Sequence, residues 1–163
     1  MSSEDPAPTL LLGYRQHGRG SQATPQFSES IEIAREPADV WRVLATPERW
    51  FDGYVETRTR SANYPDPNTR NDHVYHTRAN EHVRATVVRS EAPTVLEEHQ
   101  QGTTFVRELR YSLTPSAMGT SFRVHDEVRF KGLARLAAPI AVRDIEKRWT
   151  NSLNALKVSA ESG

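Results

Sequence analysis

The sequence predicts an α+β fold: a curved antiparallel sheet of about seven strands wrapped around one long C-terminal helix, with two short helices after the first strand. Three observations predict it. From Gly132 to Glu161, apolar residues recur at Leu133, Leu136, Ile140, Ile145, Trp149, Leu153, Leu156 and Ala160, a spacing that keeps them on one helical stripe. Almost everything between Phe27 and Phe130 reads as strand. The turns between those strands are short, and short loops join antiparallel neighbours. A single amphipathic helix after a run of strands has to lay its stripe on the sheet, which then curves around it.

Taken in order, residues 1–26 carry Pro6, Pro8, Gly13, Gly18, Gly20 and Pro25 with no sustained periodicity, the composition of a flexible arm. Thr9 to Tyr14 is its one sticky patch, suited to docking on the domain or on a partner. The domain proper is expected over residues 27–161. Phe27 to Arg35 alternates, with Phe27, Glu29, Ile31 and Ile33 on one face, and reads as a strand. Glu36-Pro37-Ala38-Asp39 opens a helix, with proline in the first turn and acids at its positive end; Val40, Trp41, Val43 and Leu44 supply its apolar side. Thr46 as N-cap and Pro47 start a second short helix, which ends near Gly53, where the chain turns out. Six strands follow, about Val55–Arg60, Asp72–Arg78, His82–Arg89, Thr94–Gln100, Thr104–Thr114 and Thr120–Lys131, separated by turn signals such as Asn80-Glu81, Ala92-Pro93 and Pro115 to Gly119. Pro139 divides the closing segment into a short opening helix and a longer one.

Composition excludes several classes. The 163 residues make one domain with a sizeable core. Lys plus Arg equals Asp plus Glu at 21 each, so no global field draws the chain to nucleic acid or anionic membrane. There is no cysteine, which removes disulfides, thiolate chemistry and thiolate metal sites. No apolar run reaches the roughly 18 residues of a membrane span. Leu10-Leu11-Leu12 is too short for a signal-peptide core and follows acids, not bases. A soluble cytoplasmic protein is expected.

Two stretches carry a family likeness: Ser-Ile-Glu-Ile-Ala-Arg-Glu-Pro-Ala-Asp-Val-Trp-Arg-Val-Leu-Ala-Thr-Pro-Glu-Arg-Trp at residues 30–50, and Trp-Thr-Asn-Ser-Leu-Asn-Ala-Leu-Lys at 149–157. With the order of elements, they resemble the START/Bet v 1-like (SRPBCC) superfamily, specifically its polyketide cyclase/dehydrase branch, over about residues 27–160. The resemblance implies a helix-grip fold with an internal cavity for an apolar small molecule. These are packing motifs, so they speak for fold more than for chemistry.

Register arithmetic indicates which side chains face inward. Phe105, Leu109, Tyr111 and Leu113 share one face with Arg107 in their middle; Phe122, Val124, Val128 and Phe130 share another around Asp126. A turn at Pro115 to Gly119 sets Arg107 and Asp126 opposite or diagonal. A charge on an apolar face is costly unless paired, so the two are expected partners. The same arithmetic through Asn80-Glu81 sets Val74, His76 and Arg78 on the inward face, and through Gln101-Gly102 sets Glu98 near Phe105 and Arg107. The expected site is an apolar pocket with one polar cluster. Arg107, Asp126, Glu98 and His76 are the catalytic candidates; Trp50, Phe105, Leu109, Tyr111, Phe122, Val124, Val128 and Trp149 are the ligand-contact candidates. Against these stand plain structural roles: an ion pair as a tie, Trp50 as core, His76 turned outward by a bulge.

No metal or cofactor is expected. His73 and His76, three apart on a strand, point to opposite faces and cannot chelate one ion together. There is no glycine-rich phosphate loop, Gly-x-Ser-x-Gly elbow or paired helix histidines. Three functions follow: a module binding an apolar or aromatic small molecule; a cyclase/aromatase closing and dehydrating a poly-β-ketone, in which Arg107 steadies an enolate oxygen; or an interaction protein with a filled cavity.

Overall fold

A computed structural model describes residues 24–163. The arm expected over residues 1–26, including its Thr9–Tyr14 patch, lies outside the described residues except for its last three, and Gln26 already opens the first strand. That strand, β1 (Gln26–Ile33), turns Phe27, Glu29, Ile31 and Ile33 toward the core. Pro37 begins α1 (Pro37–Leu44), where Val40, Val43 and Leu44 are buried; Trp41 is only half-buried and packs at the core's margin. Thr46 precedes a single 3₁₀ turn at Pro47–Arg49, but it does not cap that turn. Its hydroxyl instead donates back to the Val43 carbonyl at 2.9 Å.

Six strands follow as a meander: β2 (Tyr54–Arg60), β3 (Arg70–His76), β4 (Asn80–Glu91), β5 (Val95–Gln101), β6 (Phe105–Ser116) and β7 (Gly119–Phe130). The seven-stranded sheet has the order β1-β7-β6-β5-β4-β3-β2, antiparallel throughout. β2 forms one edge, and its pairing to β3 slips twice, between Tyr54 and Glu56 and between Thr57 and Thr59. The β6–β7 turn has two central residues, Ala117 and Met118. Gly119 there adopts φ +134, and a Cβ would come within 2.6 Å of the Ile33 carbonyl oxygen, so only glycine closes the hairpin against β1.

The chain ends in a 3₁₀ segment, Gly132–Ala137, and α2 (Ala138–Glu161), with Pro139 in the first turn of α2. The helix therefore starts at the proline and is divided there as the sequence indicates. The expected stripe holds only in part. Trp149, Leu153, Leu156 and Ala160 are buried, but Leu133, Leu136 and Ile140 are 85%, 82% and 55% exposed. In this half the residues facing the sheet are instead Ala134, Ala137, Ala141 and Ile145, across an open volume.

One buried ion pair fastens α2 to the sheet. Arg107 on β6 lies opposite Val128, and Asp126 on β7 lies opposite Leu109, so the two are diagonal neighbours on the inner face. Arg107 Nε donates to Asp126 Oδ1 at 2.9 Å, and Nη2 donates to Oδ2 at 2.6 Å. The Trp149 indole N–H donates to the same Oδ2 at 2.7 Å. The guanidinium also lies 5.4 Å from the Trp149 ring and 5.6 Å from the Phe51 ring, within cation–π range. Burial opposes the Arg107 charge, and the Asp126 carboxylate more than offsets it, which raises the guanidinium pKa further. Removing one partner strands the other charge in the core. Asp126→Asn should therefore lower unfolding free energy by about 3–5 kcal/mol, read from urea denaturation. Arg110→Ala, which loses only an exposed pair with Glu97, should cost at most about 1 kcal/mol.

Candidate functional site

A cavity of about 520 Å³ separates the first half of α2 from one end of the sheet. Small side chains make it: Ala134, Ala137 and Ala141, at helical spacing, leave the space that leucines there would fill. Phe105, Val128 and Phe130 form the apolar wall on the strands, and Tyr75, Arg107, Asp144 and Arg148 bring the polar groups. The β3–β4 turn with His82 and the Thr103–Thr104 loop complete the rim. Arg107 uses Nε and Nη2 on Asp126, while its Nη1 has no hydrogen-bond partner among the described residues. An oxygen of a bound molecule could take that remaining donor.

Gly53 shapes the rim. It adopts φ +92, and a Cβ would lie 2.5 Å from Arg148 Nη1 and 2.6 Å from Tyr75 Cε2. The bare backbone lets Arg148 lie over the Tyr75 ring, 5.6 Å from its centroid. The Gly53 carbonyl meanwhile accepts from the His76 N–H at 2.7 Å. Glu81 holds the opposite side, accepting from the Thr104 hydroxyl at 2.8 Å.

Of the sequence candidates, Phe105, Arg107 and Val128 line this cavity, and Asp126 stands directly behind Arg107. His76 does not. It is exposed, with its Nδ1 2.9 Å from Asn80 Oδ1. The hairpin turns at Thr77–Ala79 and pairs His76 with Asn80, whereas a turn at Asn80-Glu81 was expected. That shift reverses the faces, so Asn71, His73 and Tyr75 point inward instead of Val74, His76 and Arg78. His73 and His76 do lie on opposite faces, and no group of three or more potential metal ligands converges among the described residues.

Glu98 faces inward but belongs to a separate pocket. It pairs across from Leu109, while Gln100 lies opposite Arg107. Tyr64 donates to Glu98 at 2.5 Å and Gln100 Nε2 donates to it at 3.2 Å. The space beside it, shared with Trp50, His73 and Tyr111, measures only about 10 Å³, at the lower limit for one water molecule. Burial pushes the Glu98 carboxyl up, against the pull of those hydrogen bonds. The Tyr64 and Tyr111 hydroxyls are pushed well above their ordinary value, chiefly by burial. Trp50, Leu109, Tyr111, Phe122, Val124 and Trp149 are closely packed core. Trp50 meets Tyr111 edge-on at 5.9 Å, and Tyr111 stacks on Phe122 at 5.9 Å. None of these six lines the larger cavity.

Sequence reasoning missed Tyr75, His82, Asp144 and Arg148. Tyr75 was lost with the parity of one hairpin, and His82, on the exposed face of β4, reaches the cavity only at its rim. Asp144 and Arg148 continue the face of Ala137 and Ala141 at i+3 and i+4 steps, a pattern hidden by giving that face to the leucines.

Residues 24–161 match the family model described as polyketide cyclase / dehydrase and lipid transport. No curated protein matches the sequence. Among solved structures, the di-domain ARO/CYC StfQ from the steffimycin biosynthetic pathway superposes with a TM-score of 0.68 at 16% identity, over 84% of this chain and 50% of that one. A START superfamily protein from Mycobacterium smegmatis gives 0.66 at 16%, over 84% of this chain and 97% of its own. Ara h 8.0201 gives 0.66 at 12%, over 86% and 100%. At such identities the likeness is one of fold.

One inward group has a titration consequence. The His73 ring stacks on Tyr54 at 4.6 Å, its Nδ1–H donates to the Asn71 carbonyl at 3.2 Å, and its Nε2 is buried without a partner among the described residues. Burial lowers its pKa from 6.5 to about 4. The unfolded chain therefore binds a proton between those values that the folded chain refuses, and stability falls as pH drops from 6.5 to 4. His73→Gln should remove about 3 kcal/mol of that acid-side slope, measured as urea unfolding free energy against pH.

Proposed function

The chain belongs to the polyketide cyclase/dehydrase and lipid transport family of the START/Bet v 1-like superfamily, and from that premise we propose that it holds an apolar or aromatic small molecule, polyketide- or lipid-like, in the cavity under α2. The alanine-walled volume of about 520 Å³, with Arg107 in its wall, carries this reading. Its size falls among small-molecule sites, and its walls are mostly apolar with a few convergent polar groups. A volume this large also weighs against a chain that fills its own cavity. Arg107 is fixed before any ligand arrives, since Asp126 and Trp149 set the guanidinium plane. It therefore meets a carbonyl, carboxylate or enolate oxygen without having to reorganise.

Native mass spectrometry of the purified protein, followed by solvent extraction, tests the proposal. A discrete extra mass supports it, and a clean apo mass that no aromatic or acyl ligand alters counts against it. A filled-cavity variant sharpens the test. Ala141→Phe should weaken binding of an apolar fluorescent probe by at least about tenfold, with the thermal midpoint changed by only a few degrees.

Catalysis is the second reading, favoured by the Arg107 Nη1, unpaired among the described residues, beside ionisable groups in one cavity. Arg107 would steady a developing enolate oxygen, and Tyr75, His82 or Asp144 would move protons during aldol closure and water loss. Asp126 would orient Arg107, while Glu98 and His76, away from the cavity, would take no part. An enzyme of this kind should lose about 10²-fold in turnover on Tyr75→Phe while keeping its affinity for ligand. A carrier should show binding unchanged and no turnover to lose.

A further inference from the structure

Leu133, Leu136 and Ile140 are the least explained side chains in the fold. At 85%, 82% and 55% exposure they stand out from the surface on consecutive turns, with exposed Pro139 between them. A contiguous apolar patch on a soluble domain marks something that covers it. Charge around it is equally one-sided. From Lys131 to Arg143 the sequence holds Lys131, Arg135 and Arg143 and no acid, in a chain whose formal net charge is zero. Arg135 and Arg143 are exposed, as is Lys147 one turn further on, while the two acids of that turn lie to either side, Asp144 at the cavity and Glu146 toward Glu29 on β1.

We infer that this face docks on an anionic lipid surface. Protruding aliphatic side chains flanked by Arg and Lys are what the boundary between headgroups and acyl chains takes up. A second copy fits less well, since a two-fold contact centred on the patch would set Arg135 and Arg143 against their own counterparts. A protein partner would need a matching pocket for three leucine-sized knobs, whereas acyl chains conform to them. The opposite face of the same segment is the cavity wall, at Ala134, Ala137 and Ala141. Docking would set the cavity beside the bilayer, so that an apolar ligand passes between them without crossing water. The inference rests on exposure and charge, and it holds whether or not the cavity is loaded.

Flotation of the full chain with vesicles tests it. The chain should float with phosphatidylcholine vesicles in which roughly one lipid in three is phosphatidylglycerol, and much less with pure phosphatidylcholine. About 0.5 M salt should weaken the association. The combined variant Leu133→Ser, Leu136→Ser, Ile140→Ser should bind at least about tenfold more weakly, with an unchanged urea midpoint because these side chains are exposed. Arg135→Glu with Arg143→Glu should abolish the preference for anionic vesicles, by roughly fivefold or more per charge. The inference is overturned if the wild-type chain does not float with anionic vesicles, or if both variants float as it does. It is also overturned if sedimentation reveals a dimer that the serine variant dissolves while vesicles stay bare; the patch then belongs to a second copy. Extraction of ligand from the cavity is read separately, so failure here leaves the binding proposal standing.

Discussion

The carboxylate of Asp126 is the point on which the architecture turns. It lies on the strand next to β1, accepts from Arg107 one strand further in, and accepts from Trp149 on the closing helix. A buried charge pair of this kind contributes less to net stability than apolar packing of equal volume would. What it supplies here is registration. Three successive elements, β6, β7 and α2, can satisfy those donors and acceptors together in only one relative placement. From that pin toward its C-terminus, α2 is seated on the sheet through Leu153, Leu156 and Ala160. Toward its N-terminus it stands away from the sheet, and the volume under it stays open.

The two halves of α2 therefore follow different rules, and much of the functional reading comes from the contrast. Behind the pin, large residues fill space, with Trp149, Phe51, Trp50 and Tyr111 in mutual ring contact. Ahead of it, on the first turns of α2 and the 3₁₀ segment before them, alanines preserve space while Leu133, Leu136 and Ile140 point to solvent. The placement of small and large residues along the closing helical segments decides where the open volume lies in this chain.

The sheet was legible because its turns are short and its apolar faces alternate cleanly. The Arg107–Asp126 partnership followed from counting back from a turn within Pro115 to Gly119, and the diagonal placement is the one the two strands adopt. Where the count began at the wrong turn residue, as in the β3–β4 hairpin, every side chain on β3 changed face, and His76 was exchanged for Tyr75. The pocket was less legible than the core for a reason built into periodicity. An apolar stripe announces helical burial only if the helix touches the sheet along its whole length, and nothing in Leu133, Leu136 and Ile140 says that the contact stops. The alanines beside them carry no signal of their own in the sequence, although their size is what defines the cavity. Trp50, Tyr111, Phe122 and Val124 were assigned to the ligand because inward-facing residues near a cavity and inward-facing residues in a core share the same pattern.

The irregular pairing of β2 bears on how the protein behaves in concentrated solution. A chain with equal numbers of acids and bases and an isoelectric point near 7 has little long-range repulsion to hold its copies apart at neutral pH. An open sheet margin is then a hazard, since its unpaired amides are a template for joining one molecule's sheet to the next. β2 meets that hazard locally. Its two register slips break the flat ladder, and the exposed Glu56 and Arg58, ion-paired at 2.7 Å, place charge where an incoming strand would lie. Protection against self-assembly is thus built into the backbone of one strand, and smoothing that strand would expose the whole molecule to aggregation.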